Sequence, residues 1–237
     1  MTADQILKEL KALGTDPIRN VLMKHGGADP IYGVRIEDMK KLLKRHKIKI
    51  DHQLALDLYD SGVYDAMYLA GLIADDHAMT KKDLEKWAAA AYCYPIAEYT
   101  VAWVAAEGRF GLEMALKWID SKKELVAAAG WSTLGCLVSL TPDDDLDMAL
   151  LRKLLDRVAK TVHGQPNRAR YTMNGFVISV GCYVPALTAE ARKTAAKMGA
   201  VEVDMGGTSC KVPDVAGYIK KVEDRGTLGR KRKTVKC

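Results

Sequence analysis

The sequence predicts an all-α chain built as a superhelix of stacked antiparallel helical pairs. Strand-like alternation is missing over most of its length, while Ala, Leu, Met, Lys and Glu fill amphipathic windows. The four tryptophans, Trp87, Trp103, Trp118 and Trp131, recur at intervals of 16, 15 and 13 residues. Each interval is about one helix plus a short turn, so successive helices are expected to contribute an aromatic to a common seam. The connections between helical windows are also short, which favours a solenoid over a simple four-helix bundle.

A chain of 237 residues buries a substantial core, and the lack of a long Gly/Ser/Pro-rich segment argues against a linker. The expected organisation is a helical-repeat domain over residues 1–200. A C-terminal extension, 201–237, packs on that domain or trails from it.

The elements follow in order. Ile6, Leu7, Leu10 and Leu13 share one face of a first helix, and Asp16 with Pro17 suits the start of a second. After a glycine turn and Tyr32, a basic helix carries Arg35, Lys40, Lys41, Lys44 and Arg45. Two short helices, 51–59 and 63–73, are split by Asp60-Ser61-Gly62. Thr80, with Asp83 three positions on, caps the next one, 80–91. Pro95 interrupts the run, which makes Tyr92-Cys93-Tyr94-Pro95 a turn before a helix over 96–106. Helices over 110–119 and 122–140 follow. Thr141, Pro142 and the acidic residues after them read as the start of a helix reaching Thr161. Further helices are expected over 168–182 and, capped by Thr188, up to Met198. The extension then offers an extended piece at 201–203 and a helix over 214–224. From Arg225 onward it has six basic residues and no acid, a block that repels itself unless something anionic lies against it.

Composition excludes several classes. No window approaches the about 20 apolar residues of a membrane span, and MTADQILKEL lacks the form of a signal peptide, so a cytoplasmic protein is expected. The five cysteines are scattered and odd in number, which fits neither a disulfide framework nor a zinc site. The five histidines show no metal spacing, and the acidic run 143–147 is explained by a helix start, so no metal or cofactor is expected. The net charge of +6 leans toward anionic partners.

Two groups of residues are candidates for function. The cations Arg35, Lys40, Lys41, Lys44, Arg168, Arg170, Arg192 and Lys193, with the terminal Arg230, Lys231, Arg232 and Lys233, suit phosphate contacts along a duplex. The alternative is a set of ordinary solvated faces. Tyr92, Tyr94, Tyr99, Trp103 and Trp131 suit a cleft in which bases or backbone pack, against the simpler reading of each as core. Glu98, just past Pro95, is the candidate catalytic carboxylate, or else a cap or solvent residue.

The succession YGVRIEDMKKLLK, the Trp/Tyr-rich centre, WIDSKKELVAAAGWSTL and RYTMNGFVIS resembles the HEAT-like DNA alkylation repair family over roughly residues 15–200. That resemblance implies a C-shaped stack of HEAT-like helical pairs with a basic concave face for double-stranded, alkylated DNA. It also implies an alkylpurine glycosylase chemistry in which a carboxylate in an aromatic cleft stabilises positive charge growing on the sugar. The family's site combines a tryptophan, an aspartate four positions on, an arginine in the next helical pair and a second tryptophan. Here these fall near Cys93 or Tyr94, near Ala97 or Glu98, near Ala128, and at Phe176, so the catalytic pattern is mostly absent. The expected function is therefore DNA binding with weak or lost glycosylase activity. The alternatives are an active glycosylase using Glu98 and a non-enzymatic scaffold for a protein partner.

Overall fold

The computed structural model describes residues 1–237, and every regular element in it is a helix. The chain runs through α1 (Ala3–Leu13), α2 (Asp16–Lys24), α3 (Ile36–Arg45), α4 (His52–Asp60), α5 (Tyr64–Ile73) and α6 (Lys81–Ala90). It continues as a π-turn, Ile96–Val101, leading directly into α7 (Ala102–Glu107), then α8 (Gly111–Trp118) and α9 (Glu124–Leu140). The rest comprises α10 (Met148–Thr161), α11 (Asn167–Tyr183), α12 (Thr188–Met198) and α13 (Val215–Asp224). Successive helices pack in pairs, α4 on α5 and α8 on α9, with α9 then packing along α11 and α11 along α12 and α13. The expected all-α superhelix is what forms.

Local chemistry explains most boundaries. Thr2 with Gln5 and Thr80 with Asp83 make reciprocal capping boxes at the starts of α1 and α6. Four details differ from expectation. Asp16 is not a side-chain cap, since Thr15 occupies the cap position and Asp16 and Pro17 are already helical. Thr141 opens no long helix: one 3-10 turn, Asp143–Asp145, is broken at extended Leu146, whose side chain turns in to the core. Asp147 then caps α10 by accepting the Leu150 N–H at 2.9 Å. Thr188 donates its hydroxyl to the Gly181 carbonyl at 3.0 Å instead of capping α12, and a 3-10 turn, Pro185–Leu187, leads into that helix. Residues 201–203 form no strand; with no neighbouring strand to pair with, Val201 and Val203 simply cover the core.

The apolar side chains condense into two clusters, one per half of the stack. The first holds Trp87, Trp103 and Trp118 and the second holds Trp131, so the tryptophan seam is divided between them. Trp87 is fully buried and stacks on Tyr59, with ring centroids 3.9 Å apart. Buried Asp65 on α5 ties down the loop before α3. Its carboxylate accepts backbone N–H bonds from Tyr32 at 2.6 Å, Gly33 at 3.3 Å and Val34 at 2.8 Å. At α8 and α9 the approach is close enough that a Cβ on Gly130 would lie 2.8 Å from the Ile119 nitrogen.

The C-terminal segment returns over the fold as a strap. Gly229 N–H bonds the Cys182 carbonyl and Arg232 N–H the Ser139 carbonyl, each at 2.8 Å, so the strap crosses α11 and then α9. It ends on the other half of the molecule. There Val235 is buried in the first core, Thr234 Oγ1 and Val235 N–H bond Glu107, and Lys236 pairs with Asp76 at 2.8 Å. Lys231 pairs with Asp143 at 2.8 Å. Of the six cations in the basic run, Lys231 and Lys236 are thus paired with carboxylates.

Candidate nucleic-acid interface

Between α9, α11, α13 and the strap lies a cleft of about 580 Å³. Its floor is cut by small residues, Ser132 and Gly135 on α9 and Gly175 and Ser179 on α11, placed three to four apart along each helix. Trp131 and Phe176, with ring centroids 5.3 Å apart, lie beneath as buried support. Tyr99, Tyr171, Tyr183 and Tyr218 form its aromatic walls, and Arg225, Arg230, Lys231 and Arg232 its cationic one. Glu98 is the only carboxylate residue among its lining.

Glu98 sits in the π-turn, where the i→i+5 register displaces the backbone from the α-helical ladder; the Ser132 hydroxyl donates to its carbonyl at 2.6 Å. Its side chain is 3% exposed and bound from the other side by Arg168, whose Nε and Nη2 donate to the two carboxylate oxygens at 2.7 and 2.6 Å. Such a bidentate fork is the strongest geometry open to the pair. The guanidinium is in turn sandwiched between Tyr94 and Tyr171, its carbon 3.7 and 4.4 Å from their ring centroids. Tyr94 is seated against Gly26, where a Cβ would fall 1.8 Å from the ring and where φ is +78°. The Arg168 backbone N–H is held by Glu124 at 2.6 Å. Burial lifts the Glu98 carboxyl to about 7, with the Arg168 hydrogen bonds and charge pulling against that rise.

The expected site residues separate into distinct places. Glu98, Tyr94 and Arg168 meet as one buried group, and Tyr99 flanks the cleft, 42% exposed. Arg168, expected on a phosphate-contacting face, is 7% exposed with its guanidinium fork bound to Glu98. Tyr92 points elsewhere, donating its hydroxyl to the Pro30 carbonyl at 3.4 Å and packing on the first core. Trp103 is buried between Tyr68 and Tyr99. Arg35, Lys40, Lys41 and Lys44 stay exposed on or beside α3, with Lys41 paired to Asp38 at 3.0 Å. Arg192 is ion-paired to Glu223, Lys193 is exposed, and Arg170 is half-buried beside Asn167. Lys233 is exposed on the strap between the paired Lys231 and Lys236.

Sequence reasoning missed Tyr171, Tyr183 and Tyr218. The first was legible: Arg168, Tyr171 or Thr172, Gly175, Ser179 and Cys182 recur at helical spacing along one face of α11. Tyr218 enters the site only because α13 folds back, which no local pattern announces.

Fold and cleft together define a helical-repeat protein of the α–α superhelix class with a cationic, aromatic groove. Within that class the chain belongs to the family described as DNA alkylation repair enzyme, whose sequence model matches residues 6–198. Relatives include the uncharacterized protein Lin0241 of Listeria innocua, 33% identical over 95% of this chain and 99% of its own. The uncharacterized protein Lmo0209 of Listeria monocytogenes is 32% identical with the same coverage. A solved structure superposes with a TM-score of 0.92 at 35% identity over 100% of both chains. It is described as belonging to a new family of proteins related to the HEAT-like repeat DNA glycosylases with affinity for branched DNA structures. The strap lies beyond the residues matched by the family model but within the span shared with that structure.

Proposed function

We propose that the protein binds DNA, branched DNA in particular, and does not excise bases. The observation that carries this reading is the closed Glu98–Arg168 pair. Excision of an alkylated purine builds positive charge on the sugar, and its catalysis needs an anion fixed beside that charge. The one carboxylate lining the cleft has both oxygens committed to a guanidinium, and the opposite wall is cationic. Such a cleft favours phosphate and disfavours a cationic sugar. Affinity for branched DNA in the 35% identical relative supports the choice of ligand.

The reading is tested by incubating the protein with methylated duplex and by titrating labelled junction and blunt duplexes at several salt concentrations. The expected result is salt-sensitive binding with the junction preferred, and no purine release above the spontaneous rate. Base release by the wild type that disappears in Glu98→Gln would overturn it.

A further inference from the structure

We infer that the strap-walled cleft is a single-strand site, holding an unpaired nucleotide segment of a DNA branch with phosphates on strap arginines and bases on tyrosine rings. This deepens the proposed function and rests on it, since it names the part of a branched DNA that the cleft takes.

The strap divides its cations into two kinds. Lys231 and Lys236 are anchors, each in an ion pair and hydrogen-bonded to a backbone carbonyl, of Val138 and Ala74 respectively. Arg230 and Arg232 on the strap, with Arg225 at the C-terminal end of α13, are exposed, line the cleft and form no ion pair with any carboxylate. The anchors fix the segment in place, so the remaining arginines present pre-positioned charge and their backbone need not be ordered on binding. Arg232 is aimed further, its Nε donating to the Tyr183 hydroxyl at 3.0 Å.

The opposite walls carry flat apolar surface that phosphate recognition alone would not need. Tyr99 and Tyr218 line the cleft and are 42% and 47% exposed. In a duplex the base faces are already stacked on one another, whereas an unpaired base offers a face to an aromatic ring regardless of sequence. Size agrees. The 580 Å³ falls within the range of about 300–1,000 Å³ typical of sites for small ligands. The small residues of the floor leave room for sugars between the two walls.

The test measures anisotropy of three labelled DNAs: a blunt duplex, the same duplex with a short thymidine flap, and free oligothymidine. Wild type is compared with Arg225→Gln/Arg230→Gln/Arg232→Gln, which keeps both lysine anchors, and with Tyr218→Ala, which alters an exposed ring. The triple variant is expected to lose flap and oligothymidine binding by at least about tenfold, with a salt slope smaller by about 2, at about 0.7 per lost contact to a single strand. Tyr218→Ala is expected to weaken the same two ligands by about tenfold with an unchanged salt slope. Blunt-duplex binding is expected to fall by clearly less than flap and oligothymidine binding in both. Equal loss for flap and blunt duplex, unchanged flap binding in the two variants, or displacement of oligothymidine by an equal concentration of thymidine monophosphate would overturn the single-strand site while leaving DNA binding intact. Failure of the wild type to bind any of the three DNAs or a junction would overturn both readings.

Discussion

Removing one partner of the Glu98–Arg168 pair leaves the other buried and unpaired, which is costlier than removing both. Arg168→Met is expected to lower unfolding free energy by about 3–5 kcal/mol, while Glu98→Leu/Arg168→Met recovers most of that loss. Urea denaturation of the three proteins checks this, and equal destabilisation by single and double variants would show that packing of the tyrosines, rather than charge, is what the arginine supplies. The pair also sets a pH dependence. Burial raises the folded Glu98 carboxyl to about 7 against an ordinary 4.5, so the folded state binds more protons than the unfolded between those values. A raised folded value means a contribution fully present below about 4.5 and lost as pH rises through 7. Relative to Glu98→Gln, wild-type stability is expected to fall between pH 5 and 7 with a slope of at most about 1.4 kcal/mol per unit. Parallel stability curves for the two proteins in that window would refute it.

At the scale of elements, what the sequence made legible follows from how far the cause of each feature reaches along the chain. The capping box at Thr80, the Pro95 interruption and the amphipathic face of α1 all depend on residues within a turn or two, and each forms as read. The break at Leu146 does not, because that residue leaves the helical path to reach a core assembled from α8 to α13. The candidate site divides in the same way. Glu98 and Arg168 stood out singly, as a carboxylate after a proline and an arginine on a helix, but their pairing spans 70 residues of sequence and is created by the π-turn and α11 both packing on α9. Tyr92 shows the converse: an aromatic two residues from Tyr94 faces the other way, since the turn at Cys93 sends their side chains to different neighbours.

The whole molecule is two cores in series, and the strap is the one segment that runs from the second back into the first without passing through the helices between them. Val235, buried at 6% exposure, and the Lys236–Asp76 pair, each side chain 13% exposed, make the distal attachment. Burial raises the Asp76 carboxyl to about 6, opposed by the charge of Lys236, so removal of the lysine leaves a carboxylate poorly solvated and unpaired. Truncation after Lys233 takes away Val235 and Lys236 together and uncovers Glu107 as well. The buried valine contributes about 1.5–3 kcal/mol and the pair adds to it, so the truncated chain is expected to be less stable by about 2–4 kcal/mol. Amide exchange locates the loss: protection should fall in α5, α7 and the strap, while the α10–α12 core keeps its own. A truncation that lowers protection equally through both cores would mean that the halves unfold as one unit and that the strap is not an independent tie. Lys236→Ala alone should give a smaller loss confined to the same helices, which separates the ion pair from the buried valine.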